Sequence, residues 1–420
     1  MRCTAFIFLI LSTVAIAQEA PKPARQPAPK SVTVPFTLDH NRILIEVGIP
    51  LSDGTTPRVH AWIDNGNPEL YISRKLFEHT GGSMSCDGQL CSAAPPAAIN
   101  IDGMTISLSG RTGITEAKVP ASGAPLAPGL PAEINIPSTV LRNYDVLIDF
   151  PEHEFTIAQT GTLKFKGVTA KVSVNPANGL IQVPSQIEKK KYNLGLDLGS
   201  SISFLTADLF DKLSTAHPDW PHMTGAIGPA NMWGSNDERN WKLMRLDRVQ
   251  YGPLYLTDVP FVSLDAAEQA SFGKRWASPT VGLFGSEALL NYRVGLDYVH
   301  STVYFDIGRM FNAPDFDVIG VILRPEDDGR FTILGIADYE GKPSVAEVQA
   351  GDQLVAIDAI PVAGSSMGQV WSRLAGEPEK EHTLTIERKG KQFAVVAKVQ
   401  HFLGATDEDG GKKESRKSNK

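Results

Sequence analysis

The 420 residues carry 47 acidic against 40 basic side chains, a net charge of −7, with no basic stripe of interleaved aromatics. That balance argues against nucleic acid as the main partner. With 42% hydrophobic and 21% charged residues the chain is globular and long enough for two or three domains; its 37 glycines and 29 prolines predict a mainly β architecture of short strands and turns.

The N-terminus reads as a secretory signal over residues 1–17. Arg2 supplies the positive end, residues 5–16 are mostly apolar but too short to span a bilayer, and Ala15-Ile16-Ala17 is a cleavage triplet. An uncleaved anchor is the alternative reading. The mature chain is therefore expected to be exported, periplasmic or secreted, with no integral membrane segment after signal removal. Residues 18–31, rich in Pro and Ala, predict a disordered spacer.

Strands are predicted over 32–38, 42–47 and 59–64, with Ser52-Asp53-Gly54-Thr55 as a turn. An extended stretch at 70–73 and a short helix over 74–79 follow. Cys86 and Cys91 are the only cysteines left once Cys3 departs with the signal. Their spacing, Cys-Asp-Gly-Gln-Leu-Cys, predicts a small disulfide loop. Two thiols and nine scattered histidines make no metal site, and no motif calls for a cofactor. Short strands are predicted at 98–101 and 104–108, and a strand pair at 144–150 and 154–157.

The stretch Ala61-Trp62-Ile63-Asp64-Asn65-Gly66-Asn67 ends an alternating strand. Taken alone it reads as a hairpin turn with a solvated carboxylate. A second copy stands downstream, Leu194-Gly195-Leu196-Asp197-Leu198-Gly199-Ser200. At this offset of 133, Asp64 meets Asp197, Gly66 meets Gly199, Tyr71 meets Phe204 and Phe77 meets Phe210. The closing strands repeat at an offset of 148: Tyr144 meets Tyr292, Val146 meets Val294 and Asp149 meets Asp297, while Ser138 meets Ser286. Two ordered matches with one modest insertion predict a duplicated β domain.

Beyond Asn312-Ala313-Pro314 the character changes. Strands are predicted at 318–323 and 331–336, a helical turn at 344–347, a helix at 367–374, and closing strands at 383–388 and 393–399. Residues 404–420 predict a disordered tail. Glu188-Lys189-Lys190-Lys191 reads as a solvated hairpin turn and the stretch from His217 to His222 as a surface loop. Trp62 is expected in the core, with a substrate groove lined by Trp62, Trp233 and Trp241 as the alternative.

A strand ending in an apolar residue, Asp, any residue and Gly, then a strand and short helix, then Leu283-Phe284-Gly285 before a final hairpin, resembles the aspartic protease family. The layout of each half is similar to bacterial retropepsin-like enzymes, and the two-copy chain resembles the bilobal pepsin plan over roughly residues 32–306. Ala350-Gly351-Asp352-Gln353-Leu354-Val355-Ala356-Ile357-Asp358 resembles the signature of a PDZ domain. The fold implied is mainly β: aspartic-protease-type β-barrel lobes at 32–159 and 160–312, then a PDZ domain at 313–403.

The resemblance implies an exported endopeptidase whose catalytic dyad is Asp64 and Asp197, with Asn65, Gly66, Leu198 and Gly199 as supporting turns. Two carboxylates that share one proton activate a water and polarise the scissile carbonyl. Val318, Ile319, Gly320 and Val321 would form the peptide-binding loop of the PDZ domain. The implied partner is a polypeptide substrate or peptide ligand; the sequence carries no signal for oligomeric state. The other reading is a protease-like binding module without turnover.

Two positions depart from the pattern of the family. The hydroxyl residue usual after each aspartate is Asn65 in one copy and Leu198 in the other. An amide can still donate whereas leucine cannot, so a weakened brace between the two loops is expected. The first copy also places Asn135-Ile136-Pro137 opposite Leu283-Phe284-Gly285.

Overall fold

The computed structural model describes residues 28–80, 82–88, 90–121, 125–264, 273–308 and 316–404. The signal sequence, most of the spacer, the boundary at 312–314 and the tail from 405 lie outside the described residues. The architecture is mainly β, built as two barrel-like lobes and a smaller C-terminal domain. Among the described residues no helix is long and apolar enough to cross a membrane.

The duplication is visible in the sheet that joins the lobes. Its order is Ser31–Pro35, Glu154–Gln159, Tyr144–Asp149, Tyr292–Asp297, Thr302–Ile307, Val168–Lys171, three strands from each half. Tyr144–Asp149 and Tyr292–Asp297 pair antiparallel at its centre, with Leu147 opposite Gly295. Those two residues are 295 − 147 = 148 apart, the offset of the closing repeat, so each pairs with its own counterpart and the pseudo-twofold axis passes between them. Two residues along, Asp149 faces Arg293 and pairs with it at 2.5 Å. Opposite charges directly across a strand pair support this register.

Each lobe then brings its aspartate strand to the interface in the same way. Arg58–Asp64 is exposed at its start and buried from Ala61 on, because its last residues enter the core of the lobe. It pairs parallel with Ile134–Pro137, with Ile63 opposite Ile136. In the second lobe Lys190–Leu196 pairs parallel with Gly282–Phe284, with Leu196 opposite Phe284. The helices Arg74–Thr80 and Ala207–Ala216 occupy matching places, burying Leu76 and Phe77 in one copy and Leu209 and Phe210 in the other. The disulfide forms between Cys86 and Cys91, which face each other across the hairpin Met84–Asp87 and Leu90–Ala93, with Cys91 buried. Glu188 turns the hairpin between Ile181–Ile187 and Lys190–Leu196 with a positive φ of 55°, and His217 stacks on Trp220 at 4.0 Å.

The C-terminal domain is a sheet in the order Val321–Pro325, Phe331–Ile336, Gln353–Ile357, Glu381–Arg388, Lys391–Lys398. Helix Met367–Leu374 starts at a capping box, with Ser366 accepting from the Gln369 N–H and Gln369 accepting from the Ser366 N–H. Residues 318–323 are not one strand as expected. Phe316–Val318 pairs with Gln400–Phe402, the chain turns at Ile319-Gly320, and Val321–Pro325 joins the other sheet. Residues 344–347 form turns rather than helix.

Val318, Ile319, Gly320 and Val321 are all buried. The Ile319 N–H donates to the Leu374 carbonyl at 2.9 Å and the Val321 N–H to the Ile319 carbonyl at 2.8 Å. The Ile319 and Val321 amides are thus engaged inside the domain. The cores of the second lobe and the C-terminal domain are continuous: Ile227, Met232 and Leu283 share one buried cluster with Ile322, Leu323 and Trp371. At about 1.5–3 kcal/mol per fully buried large apolar side chain, a contact of this kind holds the two units firmly together.

Candidate active site

The two aspartate loops meet where the lobes meet. Asp64 is 3% exposed and Asn65 is fully buried. The glycines show how close the approach is. A methyl group on Gly199 would lie 2.5 Å from Asp64 Oδ1 and 3.0 Å from its Cα, and one on Gly66 would overlap the Asp197 carboxyl. Neither glycine has a positive φ. They are required for the approach of the opposite carboxylate, not for a left-handed turn.

The expected weakening of the brace is not what the structure shows. Asn65 Nδ2 donates to the Leu196 carbonyl at 2.8 Å, and the Leu198 N–H donates to Asn65 Oδ1 at 2.7 Å. A single amide side chain therefore bonds the residues on both sides of Asp197. Leu198 contributes its backbone N–H, so its lack of a side-chain donor does not matter there. Its carbonyl in turn accepts from Ser286 Oγ at 2.8 Å. Matching bonds recur in both copies: the Ser138 N–H donates to the Asn67 carbonyl and the Ser286 N–H to the Ser200 carbonyl, each at 2.9 Å.

Around the carboxylates the two copies differ. Asp197 Oδ1 accepts from the N–H groups of Gly199 at 2.9 Å and Ser200 at 3.1 Å. Asp64 Oδ2 accepts from Asn135 Nδ2 at 3.1 Å, and the Asn67 side chain also supports the Asp64 carboxyl. Asn135 is fully buried and well held, donating also to the Glu69 carbonyl and accepting from the Tyr71 N–H at 2.7 Å. It stands where the second copy has Leu283. A polar residue inside the apolar run Ile134-Asn135-Ile136 was the available signal for this role, which the sequence reading passed over.

Burial, and after it the Asp197 charge, push the Asp64 carboxyl well above the ordinary carboxylate range. Burial also raises Asp197, but the Gly199 and Ser200 donors oppose the shift. The two carboxyls therefore titrate as a coupled pair raised above the ordinary carboxylate range, and the Gly199 and Ser200 donors favour negative charge on Asp197.

The carboxylates open into a cavity of about 230 Å³. Its walls include Trp62, Phe204, Trp233, Trp241 and Leu283, with Arg275 at one side. Trp62 is at once 7% exposed, packed with Leu44 and Leu130, and a wall of this cavity, so the core and groove readings of it both apply. Among the described residues no group of His, Cys, Asp and Glu could hold a metal ion. Val318 to Val321 are not part of the site.

No family model matches the sequence, and no curated protein matches it. Solved structures similar to it include an aspartic proteinase from Irpex lacteus, at 12% identity and a TM-score of 0.40, covering 66% of this chain and 97% of that one. Basic 7S globulin from soybean and conglutin gamma from lupine seeds are similar too, each at 9% identity and a TM-score of 0.38, covering 67% of this chain and 95% of theirs.

Proposed function

We propose that the chain is an aspartic-type endopeptidase with Asp64 and Asp197 as its dyad. The observation that carries this is the pairing of a buried carboxylate, Asp64, with a half-buried one, Asp197, near the pseudo-twofold axis, each close against a glycine of the opposite loop, with the two loops tied together by Asn65. Asp197, supported by two N–H donors, is the ionised member and takes a proton from water. Asp64, the protonated member, donates to the scissile carbonyl oxygen. The water oxygen bonds to the carbonyl carbon, giving a tetrahedral diol. The C–N bond then breaks as the amine nitrogen takes the proton now on Asp197 and a diol hydroxyl gives its proton to Asp64, which yields the acid and amine and restores the dyad. Neither step needs a metal or a covalent intermediate. The aromatic walls favour apolar side chains beside the scissile bond. Export from the cytoplasm is part of the same proposal, and the Cys86–Cys91 disulfide supports it. So is a PDZ-like C-terminal domain that takes extended peptide at its sheet edge.

Cleavage of an unfolded polypeptide, followed by mass spectrometry between pH 3 and pH 9, tests the reading. Activity should fall at high pH as the shared proton leaves. A flat profile would refute the dyad. Absence of cleavage at every pH would favour the second reading, a protease-like peptide-binding protein without turnover.

A further inference from the structure

The stretch between His222–Thr224 and Lys242–Tyr251 touches the C-terminal domain and the dyad with neighbouring residues. Asn231 is fully buried and its side chain makes four hydrogen bonds. Its Oδ1 accepts from the Leu323 N–H at 2.9 Å and from Trp371 Nε1 at 3.2 Å. Its Nδ2 donates to the Leu323 carbonyl at 2.9 Å and to Glu238 Oε2 at 2.7 Å. Leu323 lies on Val321–Pro325, the edge strand of the C-terminal sheet, and Trp371 on the facing helix. One side-chain amide thus satisfies an edge residue as an added strand would. The flanks follow the same edge: a methyl on Gly225 would lie 3.0 Å from Ile322 Cδ1, and one on Gly234 2.8 Å from Pro325 Cδ.

The next two residues face the dyad. Met232 Sδ accepts from the Ser201 N–H at 3.3 Å and from Ser200 Oγ at 3.7 Å, and the Ser200 N–H itself donates to Asp197. Trp233 is a wall of the dyad cavity, and its N–H donates to Glu238 Oε1 at 2.6 Å. Glu238 therefore ties Asn231 to Trp233.

We propose that Asn231 is a positioning residue. The groove between Val321–Pro325 and Met367–Leu374 holds residues 225–234 in cis as its resident ligand, and this engagement sets the wall of the dyad cavity. A peptide adding as a strand needs the same N–H and C=O of Leu323, so its entry displaces Asn231 and releases Met232 and Trp233. The effect on turnover rests on the proposed peptidase activity; the coupling between groove and dyad loop does not.

Hydrogen–deuterium exchange on the full chain tests it, comparing wild type with Asn231→Ala and with Trp371→Phe, which removes one donor and keeps an aromatic ring. Exchange at Leu323 and at residues 199–201 should rise together, by about 10-fold or more in Asn231→Ala, because roughly one hydrogen bond's net free energy already corresponds to that factor and all four side-chain bonds are lost. A smaller rise in the same places is expected in Trp371→Phe, with Glu381–Arg388 and Lys391–Lys398 unchanged. Faster exchange at Leu323 with residues 199–201 unaltered would overturn the inference, as would no change at either place. If Asn231→Ala loses protection throughout, Trp371→Phe decides by the same criteria. On a polypeptide substrate KM should rise more than kcat falls, because the displaced residues bind substrate rather than react. Coupled exchange in a chain that cleaves nothing would support this inference and count against the peptidase.

Discussion

Replacing Asn65 by alanine removes, in one step, both side-chain bonds from the first aspartate loop to the backbone around Asp197. The Leu196 carbonyl and the Leu198 N–H lose these partners in a fully buried place. A buried polar group left without a partner costs about 1–3 kcal/mol, so the pair should cost ~2–6 kcal/mol. Against a total stability of roughly 5–15 kcal/mol that is a large loss. Asn65→Thr should recover much of it, because one hydroxyl can donate to Leu196 while accepting from Leu198. Urea unfolding followed by tryptophan fluorescence measures both, since Trp62 stands two residues from Asp64. A loss below about 1 kcal/mol in Asn65→Ala, or a threonine variant no better than alanine, would refute the account of the brace.

Other consequences follow from the same geometry. Gly199→Ala would drive a methyl against Asp64, and a shift of about 1 Å between the carboxylates should lower cleavage by ~100-fold or more, read as kcat/KM. Both carboxyls have folded pKa values raised above the unfolded value of about 3.9, so the native state holds the extra protons. Stability should therefore fall as pH rises from about 4 through the raised folded values, and Asp64→Asn should be more stable than wild type at pH 8 yet similar near pH 3. Urea midpoints across that range would contradict this if wild-type stability increased with pH and the variant gained nothing. Replacing Cys86 and Cys91 by serine should cost about 2 kcal/mol for so short a loop, measured by the same unfolding experiment under oxidising conditions.

The duplication was legible because two offsets, 133 and 148, are properties of the chain alone, and the Leu147–Gly295 pairing shows why the second offset matters. The brace was not legible. Judging positions 65 and 198 by their side chains misses that Leu198 takes part through its backbone N–H, which any residue but proline supplies. The need for Gly66 and Gly199 was visible, but its reason depends on a carboxylate more than 130 residues away in sequence. Val318 to Leu323 looked like one strand because apolar pattern does not report a change of sheet at Ile319-Gly320. Asn231 carried no signal at all: a loop asparagine is ordinary until the edge strand it completes is in view.

Mass spectrometry of an unfolded polypeptide incubated with wild type, Asp64→Asn and Asp197→Asn tests the central claim most directly. The account predicts internal cleavage by wild type at acid to neutral pH and none by either variant. Cleavage that persists in either single variant would contradict it.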